Sequence, residues 1–156
     1  MTEVVLPAAF DPAVAIHHIV WTVELAHHLA RENAHGRERL SGKLRELIDA
    51  GHATPAPDYL AALQQRLALR AELERLLQPF DAIVTPAAPG EAPVGLATGS
   101  PAFCSLWSLI GVPAISLPIL RGPAGLPLGC QLVGAPGDDA RLLRTAGWLM
   151  DEVAGG

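Results

Sequence analysis

The sequence predicts an α/β fold with a central sheet covered by helices on both faces, and three observations carry that prediction. From Asp11 to Gln78 apolar residues recur at helical spacing, interrupted by Gly36, Gly51 and a proline-rich connector. After Pro79 the texture changes to short apolar runs, 81–86, 114–120 and 128–133, separated by stretches rich in glycine and proline. These runs are apolar at odd and even positions alike, so both faces of each strand need cover, as in a sheet flanked by helices.

The elements follow in order. Val4–Leu6 is a short β-prone run ended by Pro7, and Asp11-Pro12 supplies an N-cap with proline at the first helical position. The helix that starts there runs from Ala13 to about Ala34, with Val14, Ile16, Ile19, Val20, Val23, Ala26 and Leu29 on its apolar face and Gly36 at its end. A second helix, Leu40 to Ala50, is expected to be closed by Gly51 in a left-handed conformation, and Thr54-Pro-Ala-Pro57 then forms a rigid connector.

Asp58 caps a third helix, Tyr59 to Gln78, which Pro79 terminates. It carries two apolar stripes, Leu60, Leu63, Leu67 and Ala71 on one and Leu69, Leu73, Leu76 and Phe80 on the other, so two contacts are expected. Beyond it come the strand 81–86, a Pro/Gly-rich loop 87–100, one or two helical turns over 103–110 and a turn at Gly111-Val-Pro113. The strands 114–120 and 128–133 follow. Asp138 or Asp139 starts a final helix through Val153, with Leu142, Leu143, Ala146 and Leu149 facing inward.

The 156 residues are enough for one domain, mainly helical over 1–80 and built of sheet-core strands and helices over 81–156. Only 17% of the residues are charged, against roughly 25% in ordinary soluble domains, and the deficit is local. Between Phe80 and Gly137 the charged residues are Asp81, Glu91 and Arg121, so the second half reads as interior that awaits cover. A net charge of -5 without a Lys/Arg cluster argues against nucleic acid as a partner. No apolar run approaches the ~18 residues a membrane span needs, and Met1–Phe10 does not read as a signal peptide. A cytoplasmic location is the default expectation, and Cys104 and Cys130 read as reduced thiols without metal or disulfide spacing.

Six histidines lie between His17 and His52, and Glu24, His28, Glu32 and His35 are spaced along one helix as metal ligands could be. The same spacing suits a solvated polar stripe with i to i+4 pairing, which is the reading preferred here, and neither a metal nor a cofactor is expected. Ser100, Ser105, Ser108, Ser116 and the two cysteines lack a Gly-x-Ser-x-Gly elbow, so none is marked as a nucleophile. Trp107 beside the Gly-rich loop suits either the wall of a small-molecule pocket or a core position.

Several ordered motifs together carry a resemblance. They are Asp81-Ala-Ile-Val-Thr-Pro86, Ala92-Pro93, Thr98-Gly99, Phe103, Gly111-Val-Pro-Ala-Ile-Ser-Leu-Pro118 and Gly125-Leu-Pro-Leu-Gly-Cys-Gln-Leu-Val-Gly134. In this order the chain resembles the C-terminal part of the amidase-signature family. Glu24, the Leu40-Ser-Gly42 turn, Asp58-Tyr59, Arg66 and Arg70 extend the likeness back to about Val4. The resemblance implies a mixed central sheet between helices and hydrolysis of a carboxamide C–N bond by a serine nucleophile, a second serine and a lysine base.

This chain has no Ser-Ser dipeptide, and its one lysine, Lys43, sits in a context unlike the family's catalytic lysine, so no catalytic residue is carried over. By the same resemblance Thr98, Gly99, Phe103, Trp107 and Ser108 are candidate pocket residues. Ser108 stands where many members place an asparagine, which favours a bulky or apolar acyl group. The expected partners are a small-molecule amide and the remainder of an amidase domain, or a second copy of the chain; a non-catalytic binding or assembly module is the alternative. Uncovered apolar strands are expected to make the isolated chain self-associate, which sedimentation velocity would detect. A monomer with a sharp thermal transition would contradict this.

Overall fold

Apolar spacing at three and four residues gives α1 (Ala13–His28), whose buried face is Ala13, Ile16, Val20 and Ala26. In the computed structural model, which describes residues 2–95 and 97–155, the chain divides into two compact units between Leu69 and Arg70. The first unit contains α1, α2 (Ala30–Gly36), α3 (Gly42–Ala53) and α4 (Ala56–Leu77) as far as Leu69. Val4–Leu6 forms no strand.

The single long helix expected over 13–34 is two helices. Leu29 leaves the helical region at φ -97° and ψ 16°, and α2 continues from Ala30 to Gly36. Ser41 caps α3 by accepting a hydrogen bond from the Leu44 amide at 3.2 Å, and Arg37 pairs with Asp49 at 2.7 Å. Thr22, buried inside α1, donates its hydroxyl to the His18 carbonyl at 2.8 Å, the local bond that lets a polar side chain be buried in a helix.

Gly51 does not end the second helix. It lies within α3, where a Cβ would strike the Thr22 carbonyl oxygen and come within 2.8 Å of the Ala26 Cβ. The glycine is there because α1 and α3 cross with backbone against backbone. Of the two stripes expected on α4, one is partly covered, with Leu69 and Leu73 buried and Leu76 and Phe80 half-buried, whereas Leu60, Leu67 and Ala71 of the other are exposed; Leu77, on neither stripe, is buried.

The second unit is built on a sheet of β1 (Ile83–Pro86), β2 (Ala114–Arg121) and β3 (Pro127–Val133) in the order β1-β3-β2, with both pairings antiparallel. The α/β class is as the sequence predicts; the strands among the described residues pair antiparallel. β2 and β3 form a hairpin whose turn has Gly125 at φ +83° and a hydrogen bond from the Gly122 amide to the Leu126 carbonyl at 2.9 Å. The register slips between Leu117 and Leu120, around Pro118, which has no amide to give and lies on a strand with one partner.

Leu117 and Leu132 pack with Leu142 and Ala146 of α6 (Asp139–Gly155), joined by Ile115, Ile119 and Leu149. The final helix starts as predicted, but Leu143 points outward, 61% exposed. The helical turns before β2 are α5 (Ser105–Ile110), closed by Gly111 in the left-handed region at φ +64°.

Gly51→Ala is expected to destabilise the fold by about 1–3 kcal/mol, because the obstacle is backbone that cannot yield. This holds although alanine is the better helix former by roughly 1 kcal/mol, and urea unfolding checks it.

Candidate functional site

The predicted pocket residues all fall on the charge-poor segment between β1 and β2. Thr98 and Gly99 lie in the irregular loop, both exposed, with Gly99 at φ +76°. Leu96, in the same loop, lies outside the described residues. Phe103 is half-buried just before α5, Trp107 is buried and Ser108, one residue on, is exposed to solvent.

Three polar side chains outside the predicted pocket set hold this segment in place. Gln131 in the middle of β3 is 6% exposed, and its Nε2 donates to the Phe103 carbonyl at 2.8 Å and to the Thr85 hydroxyl at 3.1 Å. Arg70 donates from Nη1 to the carbonyls of Ile110 and Gly111, both at 3.1 Å, at the end of α5 where helix carbonyls lack internal partners. Glu91 accepts at Oε1 from the Ala124 and Leu126 amides at 2.9 and 3.0 Å, so one carboxylate satisfies two donors of the β2–β3 turn.

There was a signal for two of them. Gln131 interrupts an apolar strand and Glu91 stands alone in a long uncharged stretch; a polar group in such surroundings must find a partner. Arg70 carried no such mark.

Cys104 is exposed, with its sulfur 3.6 Å from the Ala87 carbonyl, and Cys130 is buried, where desolvation pushes its thiol up. Two shallow clefts lie elsewhere on the unit. Asp81, Arg141, Arg144, Thr145 and Trp148 line one, and Pro113, Ala114, Ile115, Asp139, Leu142 and Leu143 the other; neither includes the candidate residues.

The histidine-rich stretch of the first unit does not gather into a ligand set. The break at Leu29 splits the stripe, Glu24 lies 3.9 Å from Arg66, and no group of three metal-ligating side chains converges among the described residues. His17 stacks on Trp21 with ring centroids 6.1 Å apart and planes inclined by 11°.

Similarity to known proteins agrees with this architecture. The Amidase family profile matches residues 3–143, and the chain belongs to that family. A glutamyl-tRNA(Gln) amidotransferase subunit from Helicobacter pylori (strain P12) is 33% identical over 102 residues, 61% of this chain and 22% of that protein. The protein of the same name from Thermodesulfovibrio yellowstonii is 38% identical over 96 residues, 56% of this chain and 20% of that one.

Among solved structures, an amidase crystal structure superposes with a TM-score of 0.83 at 30% identity, covering 92% of this chain and 36% of that chain. 6-Aminohexanoate cyclic dimer hydrolase gives 0.80 at 21% identity, a likeness of fold alone, over 97% of this chain and 37% of the other. The chain thus spans about a fifth of the first relatives' length and about a third of the solved amidase. No helix among the described residues is long and apolar enough to cross a membrane.

Burial holds the His17 pKa below its ordinary 6.5 and the neighbouring charge of His18 lowers it further. The unfolded chain therefore binds more protons than the folded one in this range, and stability falls as the pH drops from about 7.5 to about 5.5. His17→Gln is expected to flatten that dependence, as read from urea midpoints across the interval.

Proposed function

We propose that this chain is a C-terminal segment of an amidase-type hydrolase that acts on a carboxamide C–N bond, and that it forms the acyl-binding side of the site. The observation that carries the reading is membership of the Amidase family in a chain with neither a Ser-Ser pair nor a lysine in a catalytic setting. In this reading a partner segment brings the nucleophilic serine, the second serine and the lysine. The serine oxygen adds to the amide carbon, the C–N bond breaks as the nitrogen takes a proton, and water then releases the acid from the acyl-serine.

Thr98, Gly99, Phe103, Trp107 and Ser108 are the residues proposed to line the acyl pocket. A serine rather than an asparagine at 108 leaves less hydrogen-bonding capacity for a primary amide, so amides with apolar acyl groups are the proposed substrate class. Relatives that are themselves named as subunits make assembly with other polypeptides a natural context, and the remainder of an amidase domain is the proposed partner.

A second reading is a non-catalytic assembly module derived from an amidase. The exposed Leu143, Met150 and Val153, which fall within about 80° of one side of α6, favour it, since an apolar stripe of this kind suits association.

The test combines the purified chain with a separately produced amidase segment bearing the Gly-Ser-Ser region and lysine, and follows acid release from aryl-substituted amides. The chain alone is expected to be inactive and the mixture active, with Trp107→Ala and Ser108→Asn changing substrate preference. Hydrolysis by the chain alone would overturn the proposal. A stable, inactive complex would favour the assembly reading instead.

A further inference from the structure

α5 has six residues, too few to hold its own position, and its N-terminal flank at Cys104 provides no side-chain cap. Yet both ends of the segment that contains it are held by side chains remote in sequence. At the front, the Gln131 amide holds the Phe103 carbonyl at 2.8 Å; at the back, the Arg70 guanidinium holds the carbonyls of Ile110 and Gly111 at 3.1 Å. Gln131 is itself oriented by Thr85 on β1, so the front anchor is fixed to two strands.

The geometry points to Gln131 and Arg70 as positioning residues that together set the placement of residues 103–111, and through it the fit of the acyl group; this rests on the pocket reading given above. Neither side chain belongs to the proposed pocket lining. Their bonds end on backbone carbonyls, so what they control is where Phe103, Trp107 and Ser108 stand. The register matters because Trp107 is buried and Ser108 exposed in adjacent positions. Neighbouring positions on a helix point about 100° apart, so a one-residue change of register in so short a helix exchanges an aromatic surface for a hydroxyl. Releasing either anchor spreads the segment over several placements, which weakens substrate positioning and leaves the bond-breaking groups as they were.

Cys104, exposed and adjacent to the front anchor, is a built-in reporter, and buried Cys130 is its internal control. The experiment uses the full chain with Gln131→Leu, Gln131→Glu, Arg70→Met and Arg70→Lys, and reads iodoacetamide labelling of each cysteine and amide hydrogen exchange by peptide.

The expected result for Gln131→Glu, which keeps the size but places an acceptor against the Phe103 carbonyl, is labelling of Cys104 faster by about fivefold with Cys130 unchanged. Arg70→Met is expected to speed exchange in 108–112 while α6 keeps its protection, and Arg70→Lys, which retains the charge and a donor, to restore most of it. In the assembled enzyme the Gln131 and Arg70 variants are expected to raise KM about tenfold while kcat stays within about threefold. Unchanged labelling and exchange would overturn the proposal, as would a parallel rise at Cys104 and Cys130, the mark of general destabilisation, or a loss confined to kcat. An assembled enzyme with no wild-type activity would count against the amidase reading, and thiol labelling and exchange would still decide whether the two anchors act.

Discussion

The second unit depends on β3, and the reason is the alternation of side chains along a strand. Leu132 points to one face, where it meets Leu117, Leu142 and Ala146, and Gln131 points to the other, where it holds the Phe103 carbonyl. The same residues use their backbone groups to pair with β1 on one side and β2 on the other. Hydrophobic cover, the sheet ladder and the placement of α5 therefore meet in a few consecutive residues, and Cys130 to Val133 are accordingly buried. A slip of one position would send Gln131 into the apolar cluster and Leu132 against the Phe103 carbonyl, so the register is specified from both sides.

The first unit obeys a different constraint, closeness of approach. α1 and α3 are held near enough that Gly51 has no room for a side chain, and the polar group this brings into the contact, the Thr22 hydroxyl, is satisfied within its own helix. Burial there rests on small residues such as Ala13, Ala26 and Gly51 as much as on Ile16, Val20 and Ile48. The exposed Trp21, stacked on His17, lies outside that contact.

What could be read from the sequence was set by periodicity. The helices, the three strands and the start of α6 follow from spacing and from glycine and proline, which act locally. The misreadings came from contacts between distant residues. Gly51 resembles a helix terminus until α1 lies across it, Leu143 resembles a core residue until the rotation of α6 is known, and the 13–34 pattern carries no mark of the break at Leu29. The site shows the same division. The sequence placed the candidate pocket at 98–108, but the bonds that Arg70 and Gln131 make to the carbonyls around α5, and that Glu91 makes to the hairpin turn, join residues 28 to 41 positions apart.

Glu91 leaves the fold with an uneven tolerance for change. Its carboxylate ties the loop to the hairpin turn at one point, and Gly122 leaves the space that its side chain fills. From Ala87 to Glu91 the path is therefore dictated at both ends, and an added residue would pull the carboxylate off the turn amides. Past Glu91 the backbone runs exposed to Ser100 wherever it is described, and the next tie is at the Pro101 carbonyl, which accepts a hydrogen bond from the Ser105 hydroxyl at 3.0 Å. Length and chemistry can drift there without disturbing the sheet, which makes that stretch the part of the molecule where natural variation, or a designer, could graft new specificities onto an unchanged frame.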